Sequence, residues 1–199
     1  PNLKPFSDQD ALVQGVISDM GKLVIFIEAA IYDSIRPSLE QYISDVNSDS
    51  YQTQLLLCNN CTKEEIKGTL INTPSIVGVV LVGNLPVAWE KLGSDIFPTD
   101  RYYTDFDNNW SKQERCYPND PSSEMCFLTP YSYSLDPEIF LGRISPPLFQ
   151  TSEKVALINN YFVKNHQYRI RQTSLPHRAL VYYDDDWALD GIGSVNLVY

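Results

Sequence analysis

Several features are scarce or missing in this 199-residue chain, and each absence narrows what it can be. No apolar run approaches the roughly 20 residues that a membrane-crossing helix needs. The longest, such as Val77 to Val82, have the length of a strand. There is no run of basic residues. Lys and Arg number 15 against 25 Asp and Glu, giving a net charge of −10 at pH 7. That balance argues against a nucleic-acid partner, whose phosphates need a positive surface. No internal repeat and no low-complexity linker divides the chain. Neither GxGxxG nor GKS/T occurs, which argues against a nucleotide-phosphate loop. Only two histidines are present, and nucleophilic catalysis needs a base within reach of a nucleophile. His166 falls near the end of a predicted helix and His177 just before a predicted strand, so both are expected at the surface. No cysteine stands in a recognisable catalytic context, so the sequence displays no complete active site.

What is present fits a soluble globular domain. Apolar residues make up 43% and charged residues 20%, and the length suffices for one well-buried core. The chain starts at Pro1 without an apolar signal segment. It ends on Val195-Asn196-Leu197-Val198-Tyr199, which reads as the start of a strand or a piece of helix. The expectation is a processed or truncated product that has lost its carboxyl-terminal continuation.

The four cysteines are Cys58, Cys61, Cys116 and Cys126. Cys58-Asn59-Asn60-Cys61 is a CxxC, and Cys116 and Cys126 bracket a loop rich in Pro, Ser and Asp. A zinc site would have to join the two pairs, but the second spacing is wrong for a knuckle. A redox role for the CxxC calls for a thioredoxin-like order of elements, which the sequence does not display. Two local disulfides of a secreted protein or free thiols are the plainer readings. Two glycosylation sequons agree with export: Asn60-Cys61-Thr62 and Asn109-Trp110-Ser111.

The hydrophobic pattern alternates strands with helices. Leu23 to Ile27 is a compact run of branched and aromatic residues, the mark of a buried strand. From about Ser34, Ile35, Leu39, Tyr42, Ile43 and Val46 form one helical stripe. Pro37 is expected in that helix's first turn, where its missing N–H costs nothing. Gln54 to Cys58 reads as a second strand. Thr62-Lys63-Glu64-Glu65 is a capping box opening a helix with Ile66 and Leu70. Ile76 to Val82 is apolar on both faces, as a central parallel strand should be. Glu138 to Ile144 suggests another strand. Ser152 can cap a helix carrying Val155, Ile158, Tyr161 and Phe162, and Ala179 to Tyr183 suggests a last strand. This order predicts an α/β domain: a mostly parallel sheet with helices on both faces, interrupted by a loop insertion at about 84–137. Residues 1–21 form a leading segment, and the domain spans 22–199.

Ligands of open α/β sheets bind beyond the carboxyl ends of the strands. Three polar clusters fall there: Gly83-Asn84-Leu85-Pro86, Asp184-Asp185-Asp186, and the segment Thr99 to Trp110. The acids at 184–186 could orient a partner, hold a cation or form a solvated turn. In the third cluster Asp105, Asp107 and Asn109 alternate as in D-x-D-x-N calcium loops. Trp110 occupies the place of the EF-hand glycine and Cys116 that of its glutamate, so an EF-hand is excluded. A looser calcium site remains, and the alternative is an acidic turn whose side chains cap local amides.

Three segments carry a resemblance. Ile76-Val77-Gly78-Val79-Val80-Leu81-Val82-Gly83-Asn84-Leu85-Pro86, then Phe97-Pro98-Thr99-Asp100-Arg101-Tyr102-Tyr103-Thr104-Asp105-Phe106-Asp107, then Pro137-Glu138-Ile139-Phe140-Leu141-Gly142-Arg143-Ile144 resemble the gingipain-type cysteine peptidases in residues and in order. Tyr161 in the next helix and Leu180-Val181-Tyr182-Tyr183-Asp184-Asp185 are similar to later parts of that family's pattern. The resemblance covers roughly residues 22 to 190. It implies a caspase-like three-layer sandwich, incomplete at its carboxyl end, and a secreted or cell-surface endopeptidase acting on protein or peptide through a Cys–His pair. In that family both members of the pair come after the paired-Asp strand. Here all four cysteines precede it, and neither histidine is followed by glycine. No catalytic residue can therefore be assigned, and the pair is expected beyond residue 199. Asn84 and Asn108 depart from the family pattern. Calcium commonly supports such peptidases, which keeps Asp105 and Asp107 as metal candidates. The competing expectation is a non-catalytic extracellular structural or binding domain that kept the fold.

Overall fold

A computed structural model describes residues 20–120, 122–128, 136–146 and 150–173. Two βαβ passes build the first half. β1 (Lys22–Glu28) runs through a 3-10 turn (Ala29–Ile31) into α1 (Tyr32–Ser48). β2 (Gln52–Cys58), α2 (Lys63–Ile71) and β3 (Ile76–Val82) come next. The main sheet has the order β2-β1-β3-β8, all parallel, with β8 at Phe140–Ile144. The α/β class read from the sequence is therefore the observed one.

The period-2 geometry of β1 divides its side chains between two cores. Leu23, Ile25 and Ile27 face one side, with Ile35, Leu39 and Val46 of α1 and with Ile158 and Phe162 of α4 (Thr151–Arg169). Val24 and Phe26 face the other, with Ile66 and Leu70 of α2. Val80 and Val82 of β3 join the first core, and Val79 and Leu81 the second. The β1-to-β2 and β2-to-β3 crossovers run in opposite directions. Two crossovers of one hand must then lie on opposite faces, as α1 and α2 do. Each fully buried Ile or Leu contributes about 1.5–3 kcal/mol of apolar burial.

Two helix starts differ from the sequence reading. α1 begins at Tyr32, so Pro37 lies inside the helix rather than in its first turn. The 3-10 turn brings the chain into helical geometry earlier than the apolar stripe suggests. α4 begins after Gln150, not Ser152; the Gln150 N–H donates to Glu153 Oε2 at 3.1 Å. Along α4, Ile158 and Phe162 are buried as expected, but Tyr161 is exposed. The capping box of α2 is present: Glu65 N–H donates to Thr62 Oγ1 at 3.1 Å and Thr62 N–H to Glu65 Oε2 at 2.8 Å.

Residues 84–137 hold regular structure that the sequence pattern did not reveal. β4 (Ala88–Leu92), β5 (Asp95–Thr99), β6 (Gln113–Arg115) and β7 (Met125–Leu128) form a second, mixed sheet of order β5-β4-β7-β6. A short helix, α3 (Arg101–Thr104), precedes β6. Tyr102 stacks on Phe127 at 4.3 Å between ring centroids, and Trp110 meets both edge-on. These rings pack into the α2-side core. The expected strand Ala179–Tyr183 lies outside the described residues.

Candidate functional site

The carboxyl ends of β1, β2 and β3 open on a cleft of about 740 Å³. Its walls include Glu28, Cys58, Cys61, Asn84, Pro86 and Trp89. It lies where the connection from β1 turns toward β2 while β3 leads toward β8, the switch point at which such sheets bind ligands.

Glu28, the last residue of β1, organises the floor. Its carboxylate accepts from Lys154 Nζ at 2.7 and 2.9 Å and from the Asn84 N–H at 2.6 Å. Burial alone would raise the Glu28 carboxyl. The Lys154 hydrogen bonds, the Asn84 N–H and the ammonium charge outweigh it and hold the group below its ordinary value. Gly83, at φ +91°, lets β3 turn against this carboxylate; a Cβ there would lie 2.6 Å from Glu28 Cβ and Oε2.

Beside the cleft, Arg143 of β8 ties the three resembling segments together. Its guanidinium donates to the Asp100 carboxylate and to the carbonyls of Leu85 and Pro86, at 3.2 and 3.3 Å. Tyr103 Oη also donates to the Pro86 carbonyl at 2.8 Å. Burial first, with Asp100 nearby, pushes the Tyr103 phenol far up. Glu90 is buried and pairs with Arg101, which lies over the Trp110 ring.

The acidic cluster takes a form that its alternating spacing did not anticipate. Asp105, Asp107 and Glu138 present carboxylate oxygens within 4.8 Å of one another. Asp105 is fully buried and accepts from Asn108 N–H at 3.0 Å and Asn108 Nδ2 at 2.9 Å. Glu138 accepts the Phe106 N–H at 2.6 Å. Asn109 is exposed, and its side-chain oxygen accepts the Ser111 N–H at 2.8 Å, a local turn contact. Desolvation, then the Glu138 charge and a hydrogen bond with Asp105, push the Asp107 carboxyl upward. A resident cation already stands close. The buried Lys67 donates to the Asp105 carbonyl at 2.7 Å and lies over the rings of Tyr102 and Trp110. Burial pulls its ammonium down to about 8, against the charges of Asp105 and Glu138. Hard oxygen ligands of this kind suit calcium. Asp105 and Glu138 already accept backbone N–H groups.

The cysteines pair locally. Cys58 bonds Cys61 and Cys116 bonds Cys126, leaving no free thiol. Asn60, at φ +58°, and Asn109 are exposed. His166 is half-buried rather than fully at the surface, with Nδ1 3.0 Å from an Asp45 carboxylate oxygen; His177 and the acids 184–186 lie outside the described residues. Glu138 is not legible as a partner in the sequence because it comes 31 positions after Asp107, and only the fold closes that gap.

No protein-family model, no curated protein and no solved structure matches the chain. The likeness to gingipain-type peptidases rests on its motifs alone. Among the described residues no helix is long and apolar enough to cross a membrane. Disulfides are compatible with an extracellular location.

Proposed function

We propose that this chain contributes the sheet and substrate cleft of a gingipain-like cysteine endopeptidase domain, whose catalytic His and Cys are supplied beyond residue 199. One observation carries the reading. The three resembling segments are separate in sequence, yet Arg143, in the third, binds the other two directly beside the carboxyl ends of β3 and β8. Motifs that co-occur because they touch are better support than motifs that merely co-occur. A peptide would lie across the cleft, and the thiolate nucleophile must come from elsewhere, because all four cysteines here are in disulfides. Secretion fits the same reading, with Asn60 and Asn109 exposed as glycan acceptors.

The test uses the protein extended by the residues its gene encodes after Tyr199. It should be labelled by a thiol-directed covalent peptidase inhibitor and should cleave peptide substrates. Replacing the labelled cysteine should remove both. A folded extended domain that takes no label overturns the proposal and leaves a non-catalytic binding domain of the same fold.

The carboxylate cluster favours a second reading, a calcium-holding extracellular domain. Calcium should then raise the melting temperature, and Asp107→Ala, an exposed position, should abolish the rise. A wild-type protein indifferent to calcium removes this reading.

A further inference from the structure

The two disulfides occupy contrasting places. Cys116 and Cys126 are both buried, with 4% and 0% of their surface exposed. They pin β7 to the turn after β6, with both half-cystines buried. Cys58 is also buried, at 5%. Cys61 is half-buried and lines the cleft at the end of β2, immediately before Thr62, the N-cap of α2. This places the CxxC between the carboxyl end of a parallel strand and a helix N-terminus, as the strand and capping-box patterns of the sequence imply. The Cys61 N–H donates to Cys58 Sγ at 3.2 Å.

We propose that the Cys58–Cys61 disulfide is a thiol-exchange site, attacked at Cys61 by a dithiol reductant entering the cleft. The reductant's thiolate attacks Cys61 Sγ, the S–S bond breaks, and the bonding pair leaves on Cys58 Sγ. There the Cys61 N–H and the amino end of α2 favour the thiolate. The reductant's second thiol, having lost its proton to water, attacks the reductant's own sulfur in the mixed disulfide. Cys61 leaves as thiolate, and both protein sulfurs take protons from solvent. The protein gains two electrons and two protons, and the reductant is oxidised to its cyclic disulfide. The main fold does not depend on this bond. It closes a loop with only two residues inside, which constrains the unfolded chain little, and the α2 capping box holds the same turn independently.

The test is equilibration of the intact chain in oxidised and reduced dithiothreitol, with thiol alkylation and mass mapping. Cys58 and Cys61 should be alkylated together at ratios that leave Cys116–Cys126 closed and the far-ultraviolet circular dichroism unchanged. Opening of both pairs only together with unfolding, or of Cys116–Cys126 first, overturns the proposal. Mixed-disulfide trapping gives a second readout. Cys61 in the Cys58→Ser variant should capture a small aromatic disulfide at least about tenfold faster than Cys58 in the Cys61→Ser variant. Equal rates, or a faster Cys58, contradict attack at Cys61.

Discussion

Arg143 Nη2 donates to Asp100 Oδ1 at 2.6 Å, and Arg143 Nε reaches both Asp100 carboxylate oxygens, at 3.1 and 3.2 Å. The planar guanidinium thereby joins β8 of the main sheet to the segment that leads into α3. Its other N–H groups fasten the chain just after β3 through the Leu85 and Pro86 carbonyls. Only a fork with several fixed donors can satisfy an acid and two carbonyls at once.

Arg143→Lys should therefore be nearly as damaging as Arg143→Ala. A single ammonium cannot keep both the carboxylate and the two carbonyls paired. Each variant is expected to lose about 2–3 kcal/mol of unfolding free energy in urea titrations. A lysine variant within about 0.5 kcal/mol of wild type would show that charge alone suffices.

Gly83→Ala and Gly93→Ala form a matched pair. Both glycines have positive φ, +91° and +63°. A Cβ at Gly93 meets nothing within 4 Å, whereas one at Gly83 overlaps Glu28. The expected losses are about 1 kcal/mol at Gly93 and about 3 kcal/mol at Gly83. Equal losses would mean that Glu28 moves aside freely.

The alkaline side of the stability profile should have a maximum. Lys67 has its ammonium lowered from 10.5 to about 8, so between those values the unfolded chain binds more protons and stability rises with pH. Tyr102 is raised from 10.0 to about 12, chiefly by burial, and Tyr103 is raised further. Above pH 10 the unfolded tyrosines ionise first and stability falls. Urea midpoints from pH 7 to 11 should thus climb from about 8 and turn over near 10. Lys67→Met should flatten the climb and keep the fall.

Glu28 contributes to the acid side. Its folded carboxyl lies below 4.5, so its contribution is complete above that value and is lost as pH falls through the folded one. Glu28→Gln leaves the largely buried Lys154 without its partner, and should cost about 3 kcal/mol at neutral pH. The double variant Glu28→Gln with Lys154→Met should regain at least half of that. No regain would show that Asn84, rather than Lys154, is the partner that matters.

Some elements are readable because their cause is local. The capping box at Thr62 and Glu65 needs only a hydroxyl and a carboxylate three residues apart. The stripe of Ile35, Leu39 and Val46 needs only helical period, and the two-sided run of β3 only unbroken branched residues. The second sheet leaves little pattern because its strands are short, contain Pro98 and many polar residues, and take their order from pairing across long separations. Pro37 sits one turn deeper than its pattern suggests because the 3-10 turn at Ala29–Ile31 starts the helix at Tyr32, ahead of the stripe that begins at Ile35.

The candidate site divides along the same line. The residues alone specify an acidic α/β chain with a parallel strand order, a capped helix after a CxxC, and acids crowded at strand ends. Periodicity and capping act over a few residues, so they survive as pattern. It took tertiary packing to bring Glu138 to Asp105 and Asp107, to stand Lys67 among them, and to line the cleft with Cys61 while burying Cys116 and Cys126. Those relations depend on which strands become neighbours, and neighbours are chosen by burying both faces of the sheet at once.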